Sequence, residues 1–538
     1  MTGRYPITTV LIFAVIWACL FIMTSCAAKD LGVKEDYIGP EVQQSHVQDQ
    51  SRQSEDAAAK EQPAVQDHGP LEITVQDAIL LALENNRSLK VERFGPPIKR
   101  TAEEEARSAF DPVLSGEDTR SREKIDNDSS RPEQSMASGI DARLGVSGYL
   151  PTGTDIALEL STNESWSHLY SDELYESRLG LSVTQALLKG AGLGVNLAAL
   201  RQARLDTAAT LFELRGFAET LVAQVEETYW DYALTERQIE IFLESLNLAQ
   251  QQKSETLEMI KIGYLAESEL AAAEAEIALR REGLINVRSD LEKTRLRLLR
   301  LINPPGADLW QREIVLLHQP AIPDVKLDDV DAHVDVAMRM RPDLNQARLQ
   351  VRHGELEIVK TKNGLLPKMD VFINLGKTGY ADSFGRSYSD MDDHSYDVEA
   401  GLALEYPLVN RQARSRYRSS ILHHSQAGEA LKNLDQLVTV DVRVAYIEVN
   451  RAKEQIAATA ATRAFQEEKA RIESEKFRVG KSTSLLVAQA QRDLLSSRIT
   501  EIQATINYLK ALIELFRLEG SLLQRRGITA PGSQPSLP

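Results

Sequence analysis

FRVGKSTSLLVAQAQRDLL, residues 477–495, repeats in outline IKIGYLAESELAAAEAEI, residues 260–277. In each stretch a helical run ends at a glycine, Gly480 or Gly263, and a second helical run begins a few residues later. The interval between the two glycines is the interval between Tyr229 and Tyr446 in VEETYWDYAL and VRVAYIEVNRA. Nearer the start a longer interval applies, shared by Leu89 with Leu344 and by Pro112 with Pro367. Two constant intervals describe one unit present twice, with the extra length of the first copy confined to the stretch between these landmarks. Ala/Leu/Glu-rich helices resemble one another by chance, but Pro, Tyr and Gly landmarks held in register do not. Fixed-period self-similarity of this kind is therefore read as duplication.

The chain of 538 residues has only 6% aromatic residues and is rich in Ala, Leu, Glu, Gln and Arg in its helical stretches, a long-helix composition. Its net charge of −17, with no basic stripe, argues against nucleic acid, whose phosphates need a basic surface. Residues 7–23 form a short apolar segment ending in Met23-Thr24-Ser25-Cys26. That length suits a secretory signal better than a spanning helix. The segment resembles a bacterial lipoprotein signal, which implies acylation of Cys26 and release of residues 1–25; the rival is an uncleaved anchor. Ala27, where Asp often marks inner-membrane retention in that class, favours the outer membrane. Cys19 lies inside the signal, so the mature chain is expected to hold no disulfide and no cysteine metal site.

Residues 26–70 are Gln-rich and acidic without apolar period and read as a flexible tether. The first repeat takes residues 71–302, a breaker-rich linker 303–327, the second repeat 328–524, and a Pro/Gly/Ser-rich tail expected to be disordered 525–538. Each repeat opens with a helix, expected over about 74–109 and 328–365. Strands follow: Val398, Ala400, Leu402, Leu404 and Tyr406 alternate with Glu399, Gly401, Ala403 and Glu405. Such alternation fits a soluble sandwich, or a membrane barrel with lipid on the apolar face and water on the polar one. The helices that come next are very long. Residues 195–262 contain no proline and one glycine, on the order of 100 Å of helix at about 1.5 Å per residue. Apolar residues recur there at three- and four-residue spacing, as in a coiled-coil seam.

Together ALENNRSLK, ARSAFDPVL, LSVTQALLKGAGLGVN, RPDLNQARL, NGLLPKMDVF, LEYPLVNRQAR and FRVGKST resemble the TolC-like outer-membrane efflux protein family, over roughly residues 71–524. The resemblance implies an α+β membrane protein: a trimeric outer-membrane β-barrel continued by a long α-helical coiled-coil periplasmic tunnel. It implies a homotrimer in outer-membrane lipid that works with a periplasmic adaptor and an inner-membrane transporter of RND or ABC type, as a passive exit channel for efflux or type I secretion. The runner-up is a periplasmic coiled-coil scaffold or adaptor without a pore.

The same resemblance assigns roles to residues. Pro112, Pro367 and Pro407 stand at helix–strand junctions, where proline fixes φ and removes a donor. At the remaining junction Gln185 is followed by Ala186 where the family usually has proline. Gly263, Tyr264, Gly480, Lys481, Ser482 and Thr483 belong to the tips that dock the adaptor, with Ser482 and Thr483 able to cap the returning helix. The gate departs from family aspartates: Leu486 and Gln489 stand in their places, and Glu267 and Glu269 of the first copy are the acidic candidates. Glu267 and Glu269 suit an anionic constriction or plain helix-dipole partners, and Leu486 suits a dewetting closure. The extra length of the first copy, with Ile140–Leu150 and Ile156–Leu160 alternating around Pro151-Thr152-Gly153-Thr154, reads as an added hairpin. It lies either in the barrel, giving six strands per protomer where the family usually has four, or outside the membrane; two wholly apolar faces favour the barrel. No phosphate loop, nucleophile elbow or paired carboxylate suggests an enzyme, and no cofactor or metal site is expected.

Overall fold

The computed structural model describes residues 69–125, 135–167, 174–306, 309–323, 327–391 and 395–528. The signal-like segment, Cys26, the tether to residue 68 and the tail beyond residue 528 lie outside the described residues. In chain order the elements are β1 (Leu71–Ile73), α1 (Val75–Asn85), α2 (Arg87–Glu92), α3 (Gly95–Ser108), then β2 (Val113–Ile125), β3 (Ser135–Leu150), β4 (Thr154–Ser167) and β5 (Leu174–Ala186). There follow α4 (Leu193–Asn196), α5 (Ala198–Lys261), α6 (Ser268–Ile302), β6 (Ile314–Leu316), α7 (Val330–Met340) and α8 (Pro342–Asn363). The chain ends with β7 (Lys368–Ala381), α9 (Phe384–Asp390), β8 (Tyr396–Glu405), α10 (Arg411–Arg478), α11 (Ser484–Leu518) and α12 (Leu522–Arg525).

The duplication is visible in the element bounds. α1 and α7 each have 11 residues. Their first residues, Val75 and Val330, stand at the longer repeat interval, and the last residues of α5 and α10, Lys261 and Arg478, at the shorter one. The single opening helix expected in each copy is broken. Asn86 ends α1 and caps α2 by accepting the Leu89 amide at 3.0 Å, while Arg341-Pro342 interrupts the second copy at the equivalent place. Proline has no amide to continue a helix and is at home at a helix start, so one break uses a side-chain cap and the other proline chemistry. In the first copy a further break at Phe94-Gly95 precedes two prolines.

Two compact units form, each drawing on both copies. The first contains Ile98–Thr207 and Leu349–Gly428 and is built on a six-stranded sheet of order β2-β3-β4-β5-β7-β8, antiparallel throughout. Opposed residues share a face, so register sorts the side chains. Leu114, Val146, Leu158, Leu181, Leu375 and Val398 form one row, joined on the same face by Leu144, Leu160, Leu179, Ile373, Leu402 and Leu404. Several of these are exposed: Leu114 and Leu404 at 70%, Leu402 at 66%. The other face is polar. Asn374 donates to Glu399 at 2.9 Å, and Arg178 reaches over Gly376 to Asp397 at 2.5 Å. A Cβ at Gly376 would occupy the space of that ion pair, which accounts for the glycine.

The second unit takes the segments up to Pro97, Ala208–Arg348 and the chain from Glu429. Its core is duplicated too. Leu221 and Val438, Val225 and Val442, and Leu298 and Leu515 are equivalent pairs at the shorter repeat interval, and all six are buried. Each such side chain contributes about 1.5–3 kcal/mol on leaving water. The linker is more ordered than its breaker-rich composition suggests: β6 lies within it and pairs in parallel with β1. Tyr229 in α5 donates to the Ile73 carbonyl at 3.3 Å, and Tyr446 in α10 donates to the Asp328 carbonyl, also at 3.3 Å. Ile73 and Asp328 are themselves equivalent at the longer interval, so the two copies make one contact twice.

Asn86 also donates its amide to the Leu301 carbonyl at 2.9 Å. Replacing it with Ala removes the cap and this bond, so the full chain should lose about 1–2 kcal/mol in chemical denaturation followed by helical circular dichroism. Asn86→Asp keeps the acceptor and should lose less. An Asn86→Ala chain as stable as the parent would show that the break is set elsewhere.

Candidate functional site

Both long hairpins of the helical unit turn in the same way. At the end of α5 the Tyr264 amide bonds the Met259 carbonyl at 2.8 Å and the Gly263 amide bonds Ile260 at 2.9 Å. At the end of α10 Lys481 bonds Lys476 at 2.7 Å and Gly480 bonds Phe477 at 3.0 Å. This is the Schellman pattern, and Gly263 and Gly480 hold the left-handed conformation it needs, with φ of +76° and +72°. The two turns adjoin. Tyr264 lies over Gly480, where a Cβ would overlap its hydroxyl, and Ser484 donates to the Glu269 carboxylate. Ion pairs join the stems: Arg478 with Glu255 at 3.4 Å, Lys253 with Glu274 at 2.8 Å, Arg492 with Glu276 at 2.5 Å.

The expected tip residues therefore come together, each with its own task. Thr483 caps α11 by accepting the Leu486 amide, whereas Ser482 donates to Glu473 at 2.7 Å and takes no part in the cap. Lys481 is exposed. Glu267 is the residue before α6 and makes no side-chain cap; Glu269 lies in the first turn and accepts from Ser484, so within one chain it acts as a link between hairpins. Leu486 and Gln489 are exposed on α11. Sequence reading overlooked the apolar skin around these turns. Ile262 at 79% and Val479 at 61% are exposed, as are Tyr264 and Leu485. The signal was available, since Ile262 and Val479 immediately precede the two glycines and are equivalent in the repeat.

At the sheet, Pro112 and Pro367 immediately precede β2 and β7, and Pro407 follows β8. The Gln185-Ala186 junction is different for a visible reason. Ala186 continues β5 and its amide bonds the Gly153 carbonyl at 2.9 Å, a bond proline could not make. Gln185 accepts from Thr154 and donates to Ala186 at 2.8 Å. The non-proline residue at 186 and the hairpin turn are thus linked, because the turn's Gly153 carbonyl takes that amide.

The helical unit also buries charge. Glu219 lies 3.9 Å from Arg215 and accepts the Leu523 amide at 3.2 Å; burial outweighs both and pushes its carboxyl from 4.5 up to about 7. Burial lowers Arg215 and raises Glu226 above its ordinary value, although Arg526 holds Glu226 through contacts of 2.7 and 2.5 Å. Glu519, fully buried, meets His333, Ser521 and Arg525. Together these groups are buried charges paired within the helical unit.

Residues 334–521 match the outer membrane efflux protein family. The fold of the chain is similar to that of CusC, for which a transmembrane channel is described, with a TM-score of 0.63, 16% identity and coverage of 85% of this chain and 95% of that one. The open state of the Neisseria gonorrhoeae MtrE outer membrane channel gives 0.59 at 17% identity, covering 85% and 91%. Among curated proteins the chain resembles the alkaline protease secretion protein AprF of Pseudomonas aeruginosa, at 28% identity over 156 residues. That match takes in 27% of this chain and spans about a third, 32%, of AprF.

The two turn glycines should respond unequally to substitution. Gly263→Ala meets open space and carries backbone strain alone, about 1 kcal/mol, whereas Gly480→Ala adds the clash with Tyr264. Hydrogen exchange of the two turns checks this, and equal effects would refute the packing described. A second prediction follows from Glu219, Glu226, Glu227 and Glu236, all raised chiefly by burial. A raised carboxyl binds its proton more tightly folded than unfolded. Its stabilising neutral form is complete below about 4.5 and is lost as pH rises to about 7. The helical melting temperature should accordingly fall between those pH values, and Glu219→Gln should flatten the fall. A melting temperature that climbs across the window would contradict the assignment.

Proposed function

We propose that the protein is a passive exit channel of the outer membrane, serving a tripartite efflux pump or type I secretion system. The observation that carries this is the sheet's segregation into an exposed apolar face and a polar, ion-paired face. A soluble scaffold has no use for several exposed leucines on one sheet face, while a lipid-facing wall requires them. In this reading three copies associate, their sheets close a common barrel, and Cys26 carries the lipid that tethers each copy. The long hairpins reach into the periplasm, where the turns at Gly263, Tyr264, Gly480, Lys481, Ser482 and Thr483 meet a periplasmic adaptor. Ile262, Val479 and Leu485 give that adaptor an apolar surface. An inner-membrane transporter supplies the energy. Gate duty falls to Glu267 and Glu269 or to Leu486 and Gln489 of the three tips.

The likeness to a protein named for protease secretion and to solved channels supports a conduit and leaves the cargo to the transporter. The pore-free scaffold reading predicts a different product on extraction. Full-length protein taken from outer membranes in mild detergent should have the mass of a trimer with Cys26 acylated, and should conduct ions in planar bilayers. A monomer released by salt alone, with no conductance, would overturn the channel in favour of the scaffold.

A further inference from the structure

Resting on the channel reading, we propose that the β3–β4 hairpin is part of the membrane wall and that β2 of one copy pairs with β8 of the next. With three copies this closes a barrel of about 18 strands rather than about 12. Diameter grows roughly in proportion to strand number, so the lumen becomes about one and a half times as wide as a 12-stranded one.

Three observations carry the hairpin into the wall. First, it is interior to the sheet, between β2 and β5, with ladders running from Leu150–Thr154 to Ala137–Ser167 and from Thr154–Gln185 to Ser165–Leu174. It could not leave the wall without detaching β2. Second, its outer face is apolar at Leu144, Val146, Leu158 and Leu160, continuous in register with Leu179 and Leu181 of β5. Third, its turn is built into the sheet's end. Gly192 bonds the Thr152 carbonyl at 3.0 Å, Asn196 bonds Pro151 at 3.0 Å, and Tyr149 bonds Asn196 at 3.1 Å.

The edges then point to the occupant. Among the described residues β2 and β8 each have one partner and are not paired with each other. A single copy cannot close: about eight strands leave only enough interior for side chains, and this sheet's polar face carries Arg143, Glu159, Arg178 and Asp397. Free strand edges have no water to bond in lipid, so each must meet another strand. With six antiparallel strands, β2 and β8 run in opposite senses. A second copy of the chain therefore continues the antiparallel order unbroken across the seam. On β2 the outer face turns charged at Asp118 and Arg120, which sets the far border of the apolar band on that strand.

Cysteine labelling tests this in intact outer membranes, since the native cysteines are Cys19 and Cys26 alone. With a water-soluble maleimide, Leu144→Cys and Leu158→Cys should be protected and Glu159→Cys and Ser161→Cys labelled. Leu402→Cys and Glu399→Cys on β8 serve as the matched pair outside the hairpin. Ser115→Cys combined in turn with Asp397→Cys, Glu399→Cys and Ala403→Cys should give disulfide-linked copies in at least one combination. Alternation on β8 with both hairpin faces labelled would overturn the six-strand wall while leaving the channel standing. Labelling of every position, β8 included, would remove the channel and with it the barrel. Protected hairpin leucines with no link between copies in any combination would overturn the β2–β8 seam.

Discussion

A buried phenol that must find an acceptor organises the helical unit. Tyr229, sealed in the core, has its hydroxyl on the Ile73 carbonyl, and the half-buried Tyr446 makes the equivalent but more exposed bond to Asp328. An unpaired hydroxyl at such a site costs on the order of 1–3 kcal/mol, so the bond fixes the register of a long helix against the backbone just ahead of a short one. Each long helix has a set number of residues between that anchor and its terminal glycine. The equal spacing of anchor and glycine in the two copies lets both hairpins turn at matching positions, where Tyr264, Gly480, Glu269 and Ser484 interlock.

The sheet obeys a different constraint. Its inner strands satisfy their backbone bonds with neighbours on both sides, and the alternation of side chains divides apolar from charged. Glycines occur where that polar face needs room, as at Gly376 beneath the Arg178–Asp397 pair. The Ala186 junction shows the two levels meeting. An inserted hairpin takes a backbone bond from Ala186, and the residue that would forbid the bond is absent.

The buried ionic groups belong to neither pattern. Glu219, Glu226 and Glu519 are held by Arg215, Arg526, His333 and Arg525, two of which, Arg526 and His333, come from segments remote in the chain. Helix periodicity counts such residues as breaks in the apolar stripe. Their pairing replaces the water they lose, and the excess cost of burial remains as the raised proton affinity of Glu219.

Sequence by itself determined what depends on local chemistry and on repetition. The duplication, the long helices, the terminal glycines and the alternation of strands at residues 396–405 are all legible, because helical and strand periods and left-handed glycines are properties of neighbouring residues. The breaks at Asn86 and Arg341 were in principle equally legible, but an asparagine inside an apolar period is easily read as a surface residue. Tertiary structure alone decided the rest. It made Glu269 a link to Ser484 rather than a free carboxylate, gave the cap to Thr483 and not Ser482, paired β6 with β1, and placed the added hairpin inside the sheet order. Each of these depends on which distant backbone or side-chain group supplies the second half of a hydrogen bond, and residue spacing along a chain carries no record of that choice.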